Sequence, residues 1–277
     1  MSGSDAETGK PYATSGLLAR LESALRDDGI DPAHPTIDAL APYDHFHGRG
    51  LEATEDMAAL HVIQSTDHLL DVGSGLGGPA RWLSARFGCR VTGIDLTPEF
   101  CAIAEHLTRL VGLEDRVHFR VGNALAMPFG DATFDGAFSM FVSMNIDDKT
   151  GLYREIRRVL RPNGWLVLSE VARGTEGDVS YPMPWAVTPA ESFLATVEGT
   201  RTALQAAGFE IGALRTDLQR VQAFAARSQA AVESGQKPPY RANALINGEA
   251  ARTMVANVAR AYQSGSLIPM EVVARAR

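Results

Sequence analysis

Leu69-Leu70-Asp71-Val72-Gly73-Ser74-Gly75-Leu76-Gly77-Gly78 runs from an apolar, strand-like segment into glycines and on into a stretch that can coil as a helix. Glycine turns the backbone sharply and lets a ligand approach the amide groups at a helix N-terminus. Gly73, Gly75 and Gly78 alone satisfy the dinucleotide pattern G-x-G-x-x-G. Asp71 points elsewhere, because it lies at the end of the strand, two residues before the first glycine, where a pyrophosphate would meet a like charge. A ligand that carries an ammonium and no phosphate gains from that carboxylate, directly or through water. The plainer alternative is an aspartate that only caps the turn.

The pattern on either side repeats. Val91-Thr92-Gly93-Ile94-Asp95-Leu96 is a second strand ending in an acid, placed to accept both hydroxyls of a ribose, with Leu96 positioned to pack on an adenine. Gly122-Asn123-Ala124-Leu125 follows a third strand, where an amide could meet the adenine amino group or simply cap a turn. Strands are expected at His68 to Val72, Arg90 to Asp95, Val117 to Val121, Phe134 to Phe138 and Trp165 to Glu170. Helices are expected near Gly78 to Phe87, Pro98 to Leu110 and Lys149 to Leu160, the last stopped at Arg161-Pro162-Asn163-Gly164. Upstream, Leu17 to Leu25 and Leu51 to Ile63 read as amphipathic helices around a loop from Asp31 to Gly50. Downstream, helices near Pro189 to Ala207 and Asn247 to Gln263 alternate with strands at Phe209 to Thr216 and Leu267 to Arg275.

Composition narrows the partners. The 277 residues, 45% hydrophobic, suffice for one large α/β domain. A net charge of −7 argues against a nucleic-acid surface and for a small-molecule partner. No apolar run reaches the roughly 20 residues of a membrane span, and Met1 to Lys10 lacks the apolar core of a signal peptide, so a cytoplasmic protein without a membrane partner is expected. The two cysteines, Cys89 and Cys101, read as core thiols. Residues 1–15 read as a loose tail and 16–277 as one domain: a helical lid to residue 66, a ligand-binding core from 67 to 172, and acceptor-side helices and last strands from 173.

These motifs together resemble the class I methyltransferases. The matching runs are Asp71 to Gly77, Gly93 to Asp95, Asn123 to Phe129, Asp131 to Phe138 and Glu155 to Gly164, and the resemblance extends from Tyr43 to the C-terminus. It is similar more narrowly to the branch with sarcosine/dimethylglycine N-methyltransferases and ubiquinone/menaquinone-type C-methyltransferases. The resemblance implies S-adenosyl-L-methionine as cofactor and a Rossmann-like, seven-stranded, mainly parallel sheet with helices on both faces, an N-terminal helical lid and a helical insertion before the last strand. It also implies that Asp71, Gly73, Gly75 and Gly77 hold the methionine end, Asp95 the ribose, Leu96, Asn123 and Ala124 the adenine, and Ser139 the cofactor from the end of the fourth strand. Asn123 stands where relatives often have aspartate, and Asn145 where they often have histidine.

The acceptor is expected beyond the carboxyl ends of the strands. Tyr43-Asp44-His45-Phe46-His47-Gly48-Arg49-Gly50 reads as a lid, with His47 and His45 as candidate bases and Tyr43 as an orienting group. The His-x-His pair lacks further ligands at a telling distance, so no metal is expected. Tyr181-Pro182-Met183-Pro184-Trp185 offers an aromatic and thioether wall for an apolar or cationic acceptor, with Asn145, Met183 and Trp185 as substrate candidates. Lys237-Pro238-Pro239-Tyr240 resembles a nucleic-acid amino-methyltransferase motif but stands far from the end of the fourth strand and is set aside. An amine such as sarcosine or dimethylglycine, or a natural-product or quinone-like oxygen or carbon acceptor, fits these features; a homodimer is compatible with them. The competing classes are a nicotinamide-dependent oxidoreductase, which Asp71 disfavours, and a non-catalytic cofactor-binding protein.

Overall fold

In the computed structural model, which describes residues 16–277, three helices precede the sheet: α1 (Leu17–Asp27), α2 (Ile37–Asp44) and α3 (Leu51–Ala58). The tail expected over residues 1–15 lies outside the described residues. Leu17, Leu21 and Leu25 recur at helical spacing on α1 and are all buried. α2 falls inside the Asp31 to Gly50 stretch expected to be a loop. Thr36 caps it, accepting from the Ala39 amide at 3.1 Å, while Pro42 removes one of its backbone donors and keeps it short enough to escape a periodicity reading.

From His68 the chain alternates: β1 (His68–Val72), α4 (Gly78–Phe87), β2 (Arg90–Asp95), α5 (Pro98–Leu110), β3 (Val117–Val121), β4 (Phe134–Met140), α6 (Lys149–Val159) and β5 (Leu160–Arg173). After β5 come α7 (Val197–Ala206), β6 (Phe209–Arg215), α8 (Leu218–Glu233), α9 (Ala242–Asn247), α10 (Ala250–Ser264) and β7 (Leu267–Ala276). The seven strands form one sheet in the order β3-β2-β1-β4-β5-β7-β6. All neighbours are parallel except β7, which runs antiparallel to both β5 and β6. This is the expected Rossmann-like α/β arrangement.

Side chains alternate across the strands, so the sheet carries a core on each face. Leu70, Val72, Ile156 and Leu204 belong to the core beneath α6 and α7, whereas Leu69, Leu83, Ala104 and Met57 belong to the core beneath α3, α4 and α5. The strand order reverses between β1 and β4, which opens a crevice at their carboxyl ends.

Departures from the expected elements have local causes. β5 starts at Leu160, and Asn163, at φ 65°, carries an irregular link before regular pairing resumes with Trp165 opposite Gly136. The helix expected over Pro189 to Ala207 divides into a short turn at Pro189–Glu191 and α7, whose start is set by Thr196 accepting from the Gly199 amide. The helix expected over Asn247 to Gln263 is α10, which starts at Ala250 because Gly248, φ 54°, separates it from α9, a short helix that ends at Asn247, where the expected range begins. α8 has no counterpart among the expected helices; its large apolar residues are few, Leu218, Val221, Phe224 and Val232, and none of its residues is fully buried.

Gly136 has a packing role. A Cβ there would sit 2.1 Å from the Trp165 indole, which is buried in the sheet. Gly136→Ala is expected to destabilise the chain by roughly 1–3 kcal/mol through overpacking, read as a lower urea midpoint at unchanged slope.

Candidate functional site

The crevice is built on the glycine turn. The amides of Gly73 and Ser74 donate to the Ile94 carbonyl at 2.8 and 3.0 Å, which ties the turn to β2. Gly73, at φ 70°, lies so close to Val142 that a Cβ would come within 2.4 Å of it. At Gly75, φ 52°, nothing stands within 4 Å of where a Cβ would be. The turn is therefore closed on the β4 side and open at Gly75, towards the crevice.

Beyond it lies a cavity of about 1020 Å³. Asp71, Gly73, Gly75, Asp95, Leu96, Asn123 and Ala124 reach its wall at the carboxyl ends of β1 to β3, and His47, Asn145 and Trp185 also line it. Asp95 also supports the local backbone, since its two oxygens accept from the Gly75 and Thr97 amides, both at 2.9 Å. The Asn123 side-chain oxygen Oδ1 accepts from the Leu125 amide at 2.8 Å, which is the turn-capping alternative for this residue.

Five expected site residues do not line the cavity. Gly77 starts α4 at φ 77°, and a Cβ there would strike Phe119 at 2.3 Å, so its place is in helix–sheet packing. Ser139 is buried with its hydroxyl 3.5 Å from Glu170. Tyr43 turns towards α1, where its hydroxyl donates to Asp28 at 2.7 Å and its ring lies under Arg241. His45 is fully buried against Asp44 at 2.7 Å. Met183 packs with Met144, Val171 and Ala261. These positions follow from burial that a linear motif does not carry.

Several carboxyl groups on the cavity wall are buried or partly buried, and three of them are raised by that burial. Asp71 is pushed well above the usual carboxylate range by burial and then by the neighbouring Asp95 charge; its Oδ2 has no hydrogen-bond partner. Asp95 is raised by burial, which the two backbone donors oppose. Glu170, at the end of β5, is raised to about 7 by burial, against the opposing amides of Ser143 and Val142 and the charge of Lys149. Its Oε1 accepts from those amides at 3.1 and 3.2 Å, while Oε2 has no partner. The sequence motifs end a strand at Glu170 but give the acid no role of its own. An acid at the carboxyl end of a central strand was the available signal.

His47 has the opposite character. Burial and then the adjacent His45 lower it to about 3, so its ring is neutral. Nδ1 lies 3.4 Å from the Gly48 carbonyl, which can only accept, and Nε2 lies 3.2 Å from the Thr54 hydroxyl. With both nitrogens engaged and so low a basicity, His47 is not placed as a base. Asp44, also on the cavity wall, is pushed up by burial but held below the usual range overall by His45 and Arg81, the latter at 2.8 Å.

The donor set favours a particular ligand. Two adjacent buried acids, one with an unpartnered oxygen, suit an ammonium and a pair of ribose hydroxyls and repel a pyrophosphate. Among the described residues no group of three His, Cys, Asp or Glu could hold a metal ion, and no helix is long and apolar enough to cross a membrane.

Residues 70–168 match the family model described as a methyltransferase domain. The chain is 35% identical over 153 residues to methyltransferase GfsG of Streptomyces halstedii, covering 55% of this chain and 53% of that protein. It is 34% identical over 155 residues to a sterol 24-C-methyltransferase of Eremothecium gossypii, covering 54% and 42%. The chain thus spans about half the length of the curated relatives it matches. Among solved structures it is similar to geranyl diphosphate C-methyltransferase from Streptomyces coelicolor A3(2) in complex with Mg2+, geranyl diphosphate and S-adenosyl-L-homocysteine, with TM-score 0.71, 18% identity and coverage of 100% of this chain and 98% of that one.

Proposed function

We propose that this chain, which belongs to the class I methyltransferases and takes S-adenosyl-L-methionine as its cofactor, methylates an extended, mostly apolar small molecule at a hydroxyl group. The observation that carries this reading is the cavity: buried acids at one end, an apolar chamber beyond. About 1020 Å³ reaches the top of the roughly 300–1,000 Å³ range of pockets for one small molecule, so it has room for a cofactor and a second ligand. Met144, Trp185, Phe224, Val258 and Met270 among its walls offer hydrocarbon and aromatic surface. Sarcosine or dimethylglycine would leave most of that surface unburied, which disfavours the small-amine reading.

Asp71 would pair with the cofactor's ammonium, Asp95 would accept from its ribose hydroxyls, and Gly75 leaves the backbone open to it. Leu96 and Ala124 would pack against the adenine. When bound, S-adenosyl-L-methionine supplies an electrophilic methyl group on a sulfonium. The residues of this chain exclude water, hold the acceptor oxygen in line with that methyl and remove its proton. Glu170 is placed to take that proton, because its Oε2 is unpartnered, the residue lines the cavity and its basicity suits neutral pH. The acceptor hydroxyl's proton would pass to Glu170 as its oxygen bonds to the methyl carbon and the methyl–sulfur bond breaks, leaving S-adenosylhomocysteine, and Glu170 would then release that proton to water.

An amine acceptor is the second reading. The aromatic wall at Trp185 favours it, since a ring face can hold a forming ammonium and a neutral amine needs no base. Calorimetric titration with S-adenosylmethionine, S-adenosylhomocysteine and NAD, followed by screening apolar alcohols and amines for S-adenosylhomocysteine release, tests both. Binding of the adenosyl ligands and turnover of alcohols is expected; binding of NAD alone would return the chain to the oxidoreductases, and turnover of amines only would favour the second reading.

A further inference from the structure

On the opposite side of the sheet from Glu170, the cavity contains a second carboxyl group that the reaction does not use. Glu271 pairs with Ser169 in the β5–β7 register, so its side chain leaves the sheet on the face that Glu170, one residue along, does not. Their surroundings agree: Glu170 is near Lys149 and Tyr153 of α6, and Glu271 is near Arg49, beside α3. Glu271 is buried and lines the cavity. Its Oε2 accepts from Arg215 Nε, but Oε1 has no hydrogen-bond partner, and Arg49 Nη2 lies 3.8 Å from it. A buried acceptor left unpaired costs about 1–3 kcal/mol, which a ligand donor would recover.

The chemistry of that donor follows from the arginines. Each one on the cavity wall already faces an acid: Arg49 meets Asp56 at 2.6 Å and Glu52 at 3.4 Å, Arg215 meets Glu271, and Arg220 meets Asp56 at 2.8 Å and Asp217 at 3.2 Å. An anionic ligand would have to break one of these pairs. A cation would find the charge of Glu271 already met by two guanidiniums. What remains unsatisfied is a hydrogen-bond acceptor, which a neutral donor would serve. Ser228 on α8 adds an unpartnered buried hydroxyl to the same cavity, and Val221 and Phe224 of that helix turn apolar groups towards it.

We propose that Glu271 is an acceptor-recognition residue and that the molecule methylated is an apolar diol or polyol, with one hydroxyl donating to Glu271 Oε1 while a different one is methylated beside Glu170. This deepens the proposed function and rests on its reading of the cavity as an acceptor chamber. Glu271 acts by binding, so its loss raises the acceptor KM and leaves the pH dependence of kcat in place.

Three rigid steroids serve as probes: a saturated steroid diol hydroxylated at both ends, the matching mono-ol, and the matching hydroxy acid. Each is titrated into the full chain with and without S-adenosylhomocysteine, following Trp185 and the other tryptophans by fluorescence. In the unaltered protein the diol is expected to bind about tenfold or more tighter than the mono-ol, and the hydroxy acid no tighter than the mono-ol. Glu271→Met should bind diol and mono-ol alike, at the mono-ol's affinity, and Glu271→Gln should fall between; cooperative thermal unfolding checks that both variants fold. Equal binding of diol and mono-ol by the unaltered protein overturns the proposal, as does tightest binding of the hydroxy acid, or binding of S-adenosylhomocysteine with no steroid bound at all. Steroid discrimination without any binding of S-adenosylhomocysteine would instead sustain the Glu271 site and overturn the proposed cofactor reading.

Discussion

Asp71→Asn should weaken S-adenosylmethionine binding by about 10- to 100-fold and at the same time stabilise the ligand-free chain. Both effects come from one buried oxygen. Asp71 is almost wholly buried, its Oδ2 has no partner, and Asp95 places a second acid beside it. In the ligand-free chain the charged form is penalised, first by burial and then by Asp95. The folded-state pKa therefore lies above the unfolded value. As pH rises from the unfolded value towards the folded one, the unfolded chain releases a proton that the folded chain keeps, and stability falls. Above that window the loss is complete. Asparagine carries no charge, so the variant should keep its stability through the same window and exceed the unaltered chain at neutral pH. A bound ammonium reverses the balance, because a charge-assisted hydrogen bond is worth about 1.5–3 kcal/mol and asparagine offers only its amide oxygen. Calorimetric titration and urea unfolding between pH 4 and pH 8, scanned at roughly one-unit steps, check the two halves. Unchanged cofactor affinity would remove Asp71 from the site, and a less stable variant would show that its carboxylate supports the turn.

Much of this architecture can be read from the chain alone. The five strands from His68 to Glu170 announce themselves because central parallel strands are short apolar runs closed by polar or glycine turns. The glycine turn is legible for a different reason: Gly73 and Gly75 adopt positive φ and Gly73 lies against Val142, so the residue type reports the backbone directly. Gly77 shows the limit of that inference. It also has positive φ, but its demand comes from Phe119, far along the chain and not visible in the motif. The acceptor side is harder to read. Tyr43 and His45 stand in the expected lid, yet Asp28 and Asp44 engage them away from the cavity, through contacts that depend on where α1 and α2 pack. Glu170 and Glu271 belong to adjacent strands about a hundred residues apart in sequence, and only the β5–β7 register brings them to one cavity. Sequence periodicity reports which face a residue takes; it does not report which distant residue shares that face.

Glu170→Gln should lower the turnover of an alcohol acceptor by about 10²- to 10⁴-fold, the usual contribution of a positioned general base. The base must be unprotonated to act, so the unaltered enzyme's rate should rise with pH through about 7 and level above it. The variant should lose that limb along with most of its rate. His47→Gln should keep the limb, since a group held near 3 is already neutral throughout this range. A second measurement needs no acceptor. Raising a buried glutamate from its usual range to about 7 corresponds to about 3 kcal/mol, lost as pH rises between about 4.5 and 7, because the folded chain retains a proton that the unfolded chain has released. Unfolding of the unaltered chain should show that decline, superposed on the one from Asp71, and Glu170→Gln should remove its own share of it. The Oε1 contacts to Val142 and Ser143 survive in glutamine, whose carbonyl oxygen accepts from the same two amides, so the comparison isolates the charge. If the rate limb persists in Glu170→Gln while the stability difference appears as expected, Glu170 is a buried acid that shapes the β4 turn, and the proton of the acceptor leaves by another route. If both disappear together, a carboxyl group whose burial destabilises the ligand-free chain is also the group that takes the acceptor's proton.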